Sequence, residues 1–476
     1  MKSIRCFALL LLITALLFFA GLGNHPLQGS TEPRVGGIAM EMYLHRDWVT
    51  PRLNGEPFLE KPPLSLWLDS AAMTVFGPSA WAVRLASALA GLFSVLLLFI
   101  TLRRLDRPMA VATAAALMLA TSASFWSNVR QVGEDSLLSL GVSLALLGFY
   151  LASRQRSAAS ALMFITGIAV ATLSKGVLGL ALPGVVIFAW LLAETLRDRR
   201  LAPGRWLWPA GLTLVGLVPL SVWLALLYQQ GGAQALNDVL WANSVGRFNG
   251  SFSEAGHFEP FHYYLGKLPE AFLPWNLLVY LGLWHFRKQW RVQPHLMFFS
   301  LWLLAQFALL TLASSKRMVY LMALAPPAAV IAAEYANVLL ARWQGWRAAA
   351  TGLMAVVVLA YLAAVWVIPQ ADQAESFLPL TERIRALQAQ GHTVALATPS
   401  ERLAGAGVFY SRSLLPALPT EEALTHFLAQ QEGNVAVMER QDEPGNGLVV
   451  MEKLAVGTRV YYFLQGRVGT DRSRQH

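Results

Sequence analysis

The chain has 476 residues, of which 55% are hydrophobic and only 14% charged, against about 25% charged in an ordinary soluble domain. This composition excludes a soluble globular protein and implies one that crosses a membrane many times. The net charge of +9 does not point to nucleic acid, because Lys and Arg collect in the cytoplasmic loops of membrane proteins for topological reasons. The single cysteine, Cys6, opens an apolar run and can form no internal disulfide.

The first apolar run, 6–24, follows Lys2 and Arg5. It lacks a small-x-small cleavage site and reads as a first spanning helix rather than a signal peptide. A polar stretch, 25–79, follows. It carries Glu32 and Arg34 at its start and Glu60-Lys61-Pro62-Pro63 near its end. The prolines hold Lys61 extended and suit the first turn of a helix, so 64–76 reads as a short helix lying on the membrane.

A spanning helix needs about 20 mainly apolar residues. Further candidates lie near 80–102, 108–127, 135–153, 158–174, 177–195, 206–229, 270–286, 294–314, 317–340 and 347–369, for about 11 spans in all. Alternate connections are basic: Arg103/Arg104/Arg107, Arg154/Arg156, Arg197/Arg199/Arg200/Arg205, Arg287/Lys288/Arg291 and Arg342/Arg347. The positive-inside rule makes that side cytoplasmic. The stretches 25–79 and 230–270 and the C-terminal tail then face the periplasm of a Gram-negative cell. On that outer side Arg130, Lys175 and Lys316-Arg317 run against the topological bias. Each alone reads as a snorkelling anchor. Together they point to an anionic ligand.

From about residue 370 the pattern becomes that of a small soluble α/β domain, 370–476, with helical spacing over 381–390 and 420–431. Strands are expected at 392–397, 434–438, 448–451 and 458–464, and a frayed tail from 466. No catalytic motif marks this domain, which reads as a lid, a docking surface or a cap.

The run Trp48-Val-Thr-Pro-Arg-Leu-Asn-Gly-Glu-Pro-Phe-Leu-Glu-Lys-Pro-Pro-Leu64 resembles the first-loop signature of a bacterial family of membrane glycosyltransferases. That family includes the transferase that attaches 4-amino-4-deoxy-arabinose to lipid A. It is related more distantly to the protein O-mannosyltransferases and has the GT-C fold. The resemblance implies a GT-C transmembrane domain over 1–369, followed by the periplasmic domain. It also implies an inverting glycosyltransferase that takes a sugar from undecaprenyl phosphate. The implied partners are that polyprenyl-phosphate donor, the membrane, and lipid A or another glycan or protein acceptor, with no nucleic acid.

Such chemistry needs cations beside the leaving phosphate and carboxylates near the anomeric carbon or the acceptor. The resemblance places Lys61, Lys175 and Lys316-Arg317 with Tyr320 at the carrier phosphate. Arg34 and Arg247 join them, and His257 lies in the same outer loop as Arg247. Glu32 and Asp135 are the candidate acids. The family loop usually begins Asp-Glu-x-Arg, and here Thr31 stands at the aspartate position. Either Glu32 takes over the acid's role, or it holds the loop in an ion pair with Arg34. Asp135, with Glu134 before it, also reads as the cap of a helix. Glu60 and His257 are candidate ligands for a divalent cation, Zn²⁺ or Mg²⁺. His262, Tyr263, Tyr264 and Trp275 read as an interfacial aromatic belt. Two rival readings are an enzyme of the same fold acting on a protein or other glycan, and a transporter or flippase for a lipid-linked substrate. A transporter would carry its charges near mid-membrane, whereas here they gather at one face.

Overall fold

The computed structural model describes residues 2–246, 258–371, 373–431, 433–442 and 448–466. The chain divides into two compact units. One comprises residues 1–22, 59–65 and 84–365, and the other 23–58, 66–83 and 366–476.

The first unit is helical. Among the described residues, six helices are long and apolar enough to cross a membrane, or eight if two bent pairs each count as one span. The six are Ala80–Arg104, Asp135–Arg154, Ala158–Asp198, Pro294–Leu312, Met318–Arg342 and Arg347–Val367. The expected span at 108–127 is bent by 63° between Met109–Ala120 and Ala123–Val129, and that at 206–229 by 40° beyond Gly216. The expected span at 270–286 is split into Tyr263–Ala271 and Asn276–Phe286. Pro274 falls in the gap, where it supplies no backbone N–H for a continuous helix.

Residues 158–174 and 177–195, within Ala158–Asp198, form two helices that meet at a sharp break. Lys175 (φ −147°) and Gly176 (φ 51°) leave helical torsions there. Only glycine takes a positive φ without steric cost, so the sequence marks the break. The first of the two opens with a capping box between Ser157 and Ser160, which satisfies orphan amides of its first turn. It packs antiparallel to Asp135–Arg154 with almost no gap: a methyl group on Gly167 would lie 2.2 Å from the amide nitrogen of Ala145. Small residues at such crossings let helix backbones touch, which is how apolar helices associate without a hydrophobic drive between them.

The second unit begins with a departure from expectation. The polar stretch after the first span contains a helix, Thr31–His45. Its polar opening hides an apolar face on which Val35, Ile38, Ala39 and Met42 are buried at helical spacing. A two-residue hairpin follows, β1 (Arg52–Leu53) and β2 (Glu56–Pro57), turning on Asn54 (φ 54°) and Gly55 (φ 95°), the Asn-Gly signature of that turn. Asn54 exchanges two hydrogen bonds with the backbone of Leu415, at 2.8 and 2.9 Å. The helix Leu64–Phe76 lies where the sequence places it.

The remainder of this unit is a five-stranded sheet in the order β4-β3-β5-β7-β6. Its strands are β3 (Thr393–Ala397), β4 (Ala417–Leu418), β5 (Asn434–Glu439), β6 (Leu448–Val456) and β7 (Arg459–Gly466). The first three neighbours are parallel, and β7 and β6 are antiparallel. Side chains alternate between two cores. Val435, Val437, Tyr461 and Phe463 meet the helices Leu378–Ala389 and Glu401–Ser411. Ala436, Met438, Tyr462 and Leu464 meet Glu421–Gln430 on the other face. The helix Glu401–Ser411 and strand β4 were not expected from sequence. The helix is rich in Gly and Ala, and its packing residues are small. A methyl group on Gly37 would lie 2.4 Å from the Cα of Gly405, so the helices Thr31–His45 and Glu401–Ser411 meet backbone to backbone.

Candidate active site

The helical hairpin of the first unit sets the site. Its limbs are nearly equal from the turn at 155–157, so the start of one returns to the break in the other. Asp135 begins the first limb and Lys175 sits at the break. Their side chains form a direct ion pair. The same ammonium lies 3.3 Å from Oε1 of Glu134. Lys61, just before Pro62, reaches that same oxygen at 2.6 Å and lies 3.7 Å from Glu60. The ring of Tyr320 covers Lys175 at 4.3 Å from its Nζ, a cation–π contact.

The segment bearing Glu134 is anchored on both sides. Ser87 donates to the carbonyl of Gly133 at 3.1 Å, and Ser136 to that of Asn128 at 3.2 Å. Arg130 forks onto the carbonyls of Leu17, Phe18 and Ala20 at 3.0, 3.1 and 2.9 Å. These are orphan carbonyls at the end of the first helix. Arg130 is therefore engaged in holding backbone, which departs from its reading as part of a ligand-facing set of cations.

Two lysines and three carboxylates share this buried place. Burial pushes the Glu134 carboxyl up, but the ammonium groups of Lys61 and Lys175 outweigh it and hold that carboxyl well below the usual range. Glu134 is thus an anion pinned between two cations. An incoming phosphate offers the lysines the same sign of charge and more acceptor oxygens, and so competes with the carboxylates for them. Sequence reasoning gave Glu134 only a helix-end role. The doublet Glu134-Asp135 ahead of an apolar run, with two lysines needing counter-charge, was the available signal.

The other candidates are placed as follows. Lys316 is buried and donates to the carbonyls of Ala313 at 2.6 Å and Glu259 at 3.1 Å, tying its own loop to the backbone at Glu259. The backbone of Arg317 is engaged by the hydroxyl of Tyr264, both as donor and acceptor, at 3.2 Å. Tyr264 and Trp275 are buried, and Trp275 donates to Thr121 at 3.0 Å. These two rings belong to the packed interior, in contrast to the belt expected of them. Arg247 and His257 lie outside the described residues. Glu32 and Arg34 belong to the second unit. The Glu32 carboxylate accepts the amide of Gln28 at 3.1 Å, and Arg34 pairs with Glu401 at 2.8 Å. Among the described residues, no group of three or more His, Cys, Asp or Glu side chains could hold a metal ion.

An acid–lysine array at the breaks and ends of apolar helices suits a membrane enzyme that handles a phosphate-bearing lipid. The fold matches the crystal structure of ArnT from Cupriavidus metallidurans bound to undecaprenyl phosphate. The TM-score is 0.79 at 20% identity, covering 96% of this chain and 97% of that one. It also matches the Archaeoglobus fulgidus oligosaccharyltransferase in its apo form, with a TM-score of 0.55 at 15% identity over 92% of this chain and 69% of that one. Residues 60–224 match the family model described as dolichyl-phosphate-mannose-protein mannosyltransferase. The chain therefore has the architecture of the helical membrane glycosyltransferases. Over 393 residues it is 30% identical to the undecaprenyl phosphate-alpha-4-amino-4-deoxy-L-arabinose arabinosyl transferase of Pseudomonas paraeruginosa, spanning 80% of this chain and 70% of that protein. It belongs to that family of arabinosyl transferases.

Proposed function

We propose that this enzyme transfers 4-amino-4-deoxy-L-arabinose from undecaprenyl phosphate to lipid A, at the periplasmic face of the bacterial inner membrane. The observation that carries the reading is the convergence of Lys61 and Lys175 on Glu134, in a chain of this family. The bond between the anomeric carbon and the carrier phosphate breaks, and its electron pair stays on the phosphate oxygen. An acceptor oxygen attacks the opposite face of that carbon, giving inversion. Lys61 and Lys175 turn from their carboxylates to the phosphate and stabilise the charge that builds there. Lys316, Arg317 and Tyr320, from the adjoining loop, complete the phosphate-binding set. Asp135, released from Lys175, faces the developing positive charge on the sugar ring. A lipid A phosphate is already an anion, so its attack requires no strong base.

The test is to incubate membranes containing the protein with undecaprenyl-phosphate aminoarabinose and to follow lipid A by mass spectrometry. Lipid A gains the sugar with the unaltered protein and not with Lys61→Ala. Full transfer by Lys61→Ala would overturn the site. Sugar appearing on a protein or another glycan instead would move the acceptor. Donor that crosses the bilayer unconsumed would make the protein a transporter.

A further inference from the structure

The C-terminal sheet has a topological switch point. The chain leaves β3, crosses by Glu401–Ser411 to β4 on one side, and returns by Glu421–Gln430 to β5 on the other side of β3. The two crossing helices contribute to opposite faces of the sheet. In open sheets of this kind, ligands bind in the crevice outside the carboxyl ends of the strands where the winding reverses. Such a crevice is present here. A cavity of about 230 Å³ lies beyond the ends of β3 and β5, lined by Thr398, Ser400, Glu439, Arg440, Gln441 and Arg459. It is smaller than the pockets of drug-sized ligands, roughly 300–1,000 Å³, and suits a single charged group.

The charge of the cavity follows from how Glu439 is used. Its carboxylate accepts from Ser400 at 2.5 Å, from Arg402 at 2.5 Å and from the hydroxyl of Tyr461 at 3.2 Å. Arg402 does not line the cavity, so it neutralises Glu439 from the side. Arg459 reaches Glu439 only at 3.4 Å, and Arg440 reaches the exposed Glu421 only at 3.8 Å. Both guanidinium groups are about half exposed, at 49% and 45%, and both line the cavity. Each keeps most of its five donors for another acceptor. The helix Glu401–Ser411 also begins here. Its N-cap residue Ser400 makes no side-chain capping bond, because its hydroxyl is committed to Glu439.

We infer that this cavity is a second anion site, taking a phosphomonoester between Arg440 and Arg459 at the switch point. It lies outside the proposed transfer chemistry and does not depend on it. The ligand is either a free phosphate compound or the phosphorylated headgroup of a lipid, since both present the same dianionic oxygens.

The test is hydrogen exchange on the full-length protein, with inorganic phosphate titrated in detergent at constant ionic strength. A parallel arm uses nanodiscs of a phosphomonoester lipid against the same lipid dephosphorylated. Amides of 398–402 and 439–441 should slow about tenfold once phosphate is ten times its Kd. Protection by inorganic phosphate assigns a free ligand. Protection only in the phosphomonoester nanodiscs assigns a headgroup. The effect should vanish in the double variant Arg440→Gln/Arg459→Gln, and in Arg440→Gln alone if the double variant fails to fold. No protection in either arm overturns the site. So does equal protection by chloride, or protection that survives the substitutions.

Discussion

Lys61 and Lys175, from separate parts of the chain, close on one atom: Oε1 of Glu134 lies 2.6 Å from the first ammonium and 3.3 Å from the second. A single carboxylate oxygen thus sets the spacing of two cations. In the proposed transfer, that spacing brings two cations to one place for the carrier phosphate.

Glu134→Gln keeps the shape and removes that charge. Lys61 is then left with Glu60 at 3.7 Å. Breaking a buried ion pair costs about 3–5 kcal/mol, so thermal unfolding in detergent should move clearly downward. An unchanged melting temperature would show that Lys61 and Lys175 do not depend on Glu134.

The two lysines should differ in stability and agree in activity. Lys175 is 6% exposed and its loss takes from Asp135 its ion pair, leaving Glu134 with Lys61, whereas Lys61 is 18% exposed and its loss leaves both Glu134 and Asp135 with Lys175. Lys175→Met should therefore destabilise more than Lys61→Met. Both should slow sugar transfer by about 10²-fold or more, the order seen for removal of one group that stabilises transition-state charge. Melting curves and transfer assays on the two variants check the order, and a reversed ranking would refute it.

Gly37→Ala should loosen the second unit. The added methyl would sit 2.4 Å from the Cα and 2.5 Å from the carbonyl oxygen of Gly405, where neither backbone can yield cheaply. Overpacking of this kind costs about 1–3 kcal/mol. Faster hydrogen exchange in 401–411 would register it, while the helices of the first unit should keep their exchange rates.

Acid should weaken the C-terminal sheet through Glu439. Burial pushes this carboxyl up, but Ser400, Arg402 and Tyr461 more than offset it and hold it below the ordinary carboxylate value. A depressed folded value means that the stabilisation is complete above the ordinary value near 4.5. It is lost as pH falls through the folded value. The stability gap between the unaltered protein and Glu439→Gln should be widest near neutral pH and close on acidification. A constant gap would show that the carboxylate contributes no charge-dependent stability.

Much of the architecture was legible because it rests on local periodicity. The apolar runs at 80–102, 135–153 and 294–314 became helices, and 392–397, 434–438 and 458–464 became strands. Gly176 marked the break beside Lys175. The gathering of Lys61, Asp135 and Lys175 was expected from a resemblance in the first loop and from charges placed against the topological bias. What stayed hidden is non-local. The helix Thr31–His45 was masked by its polar opening and finds its partner, Glu401–Ser411, only in the fold. Arg130 looked like a surface cation until the carbonyls of the first helix appeared around it. Glu134 looked like half of a helix start, because a one-dimensional reading cannot count how many lysines will share one oxygen.

The contact of Gly37 with Gly405 also dictates an order of assembly. A ribosome delivers the first of these glycines early and the second only after every apolar helix between them has been made. Until then the face of Thr31–His45 that awaits Gly405 has no partner, and the second unit cannot close. Its maturation is therefore a late event in biogenesis, and a nascent chain cut short before residue 405 should present that helix to proteases.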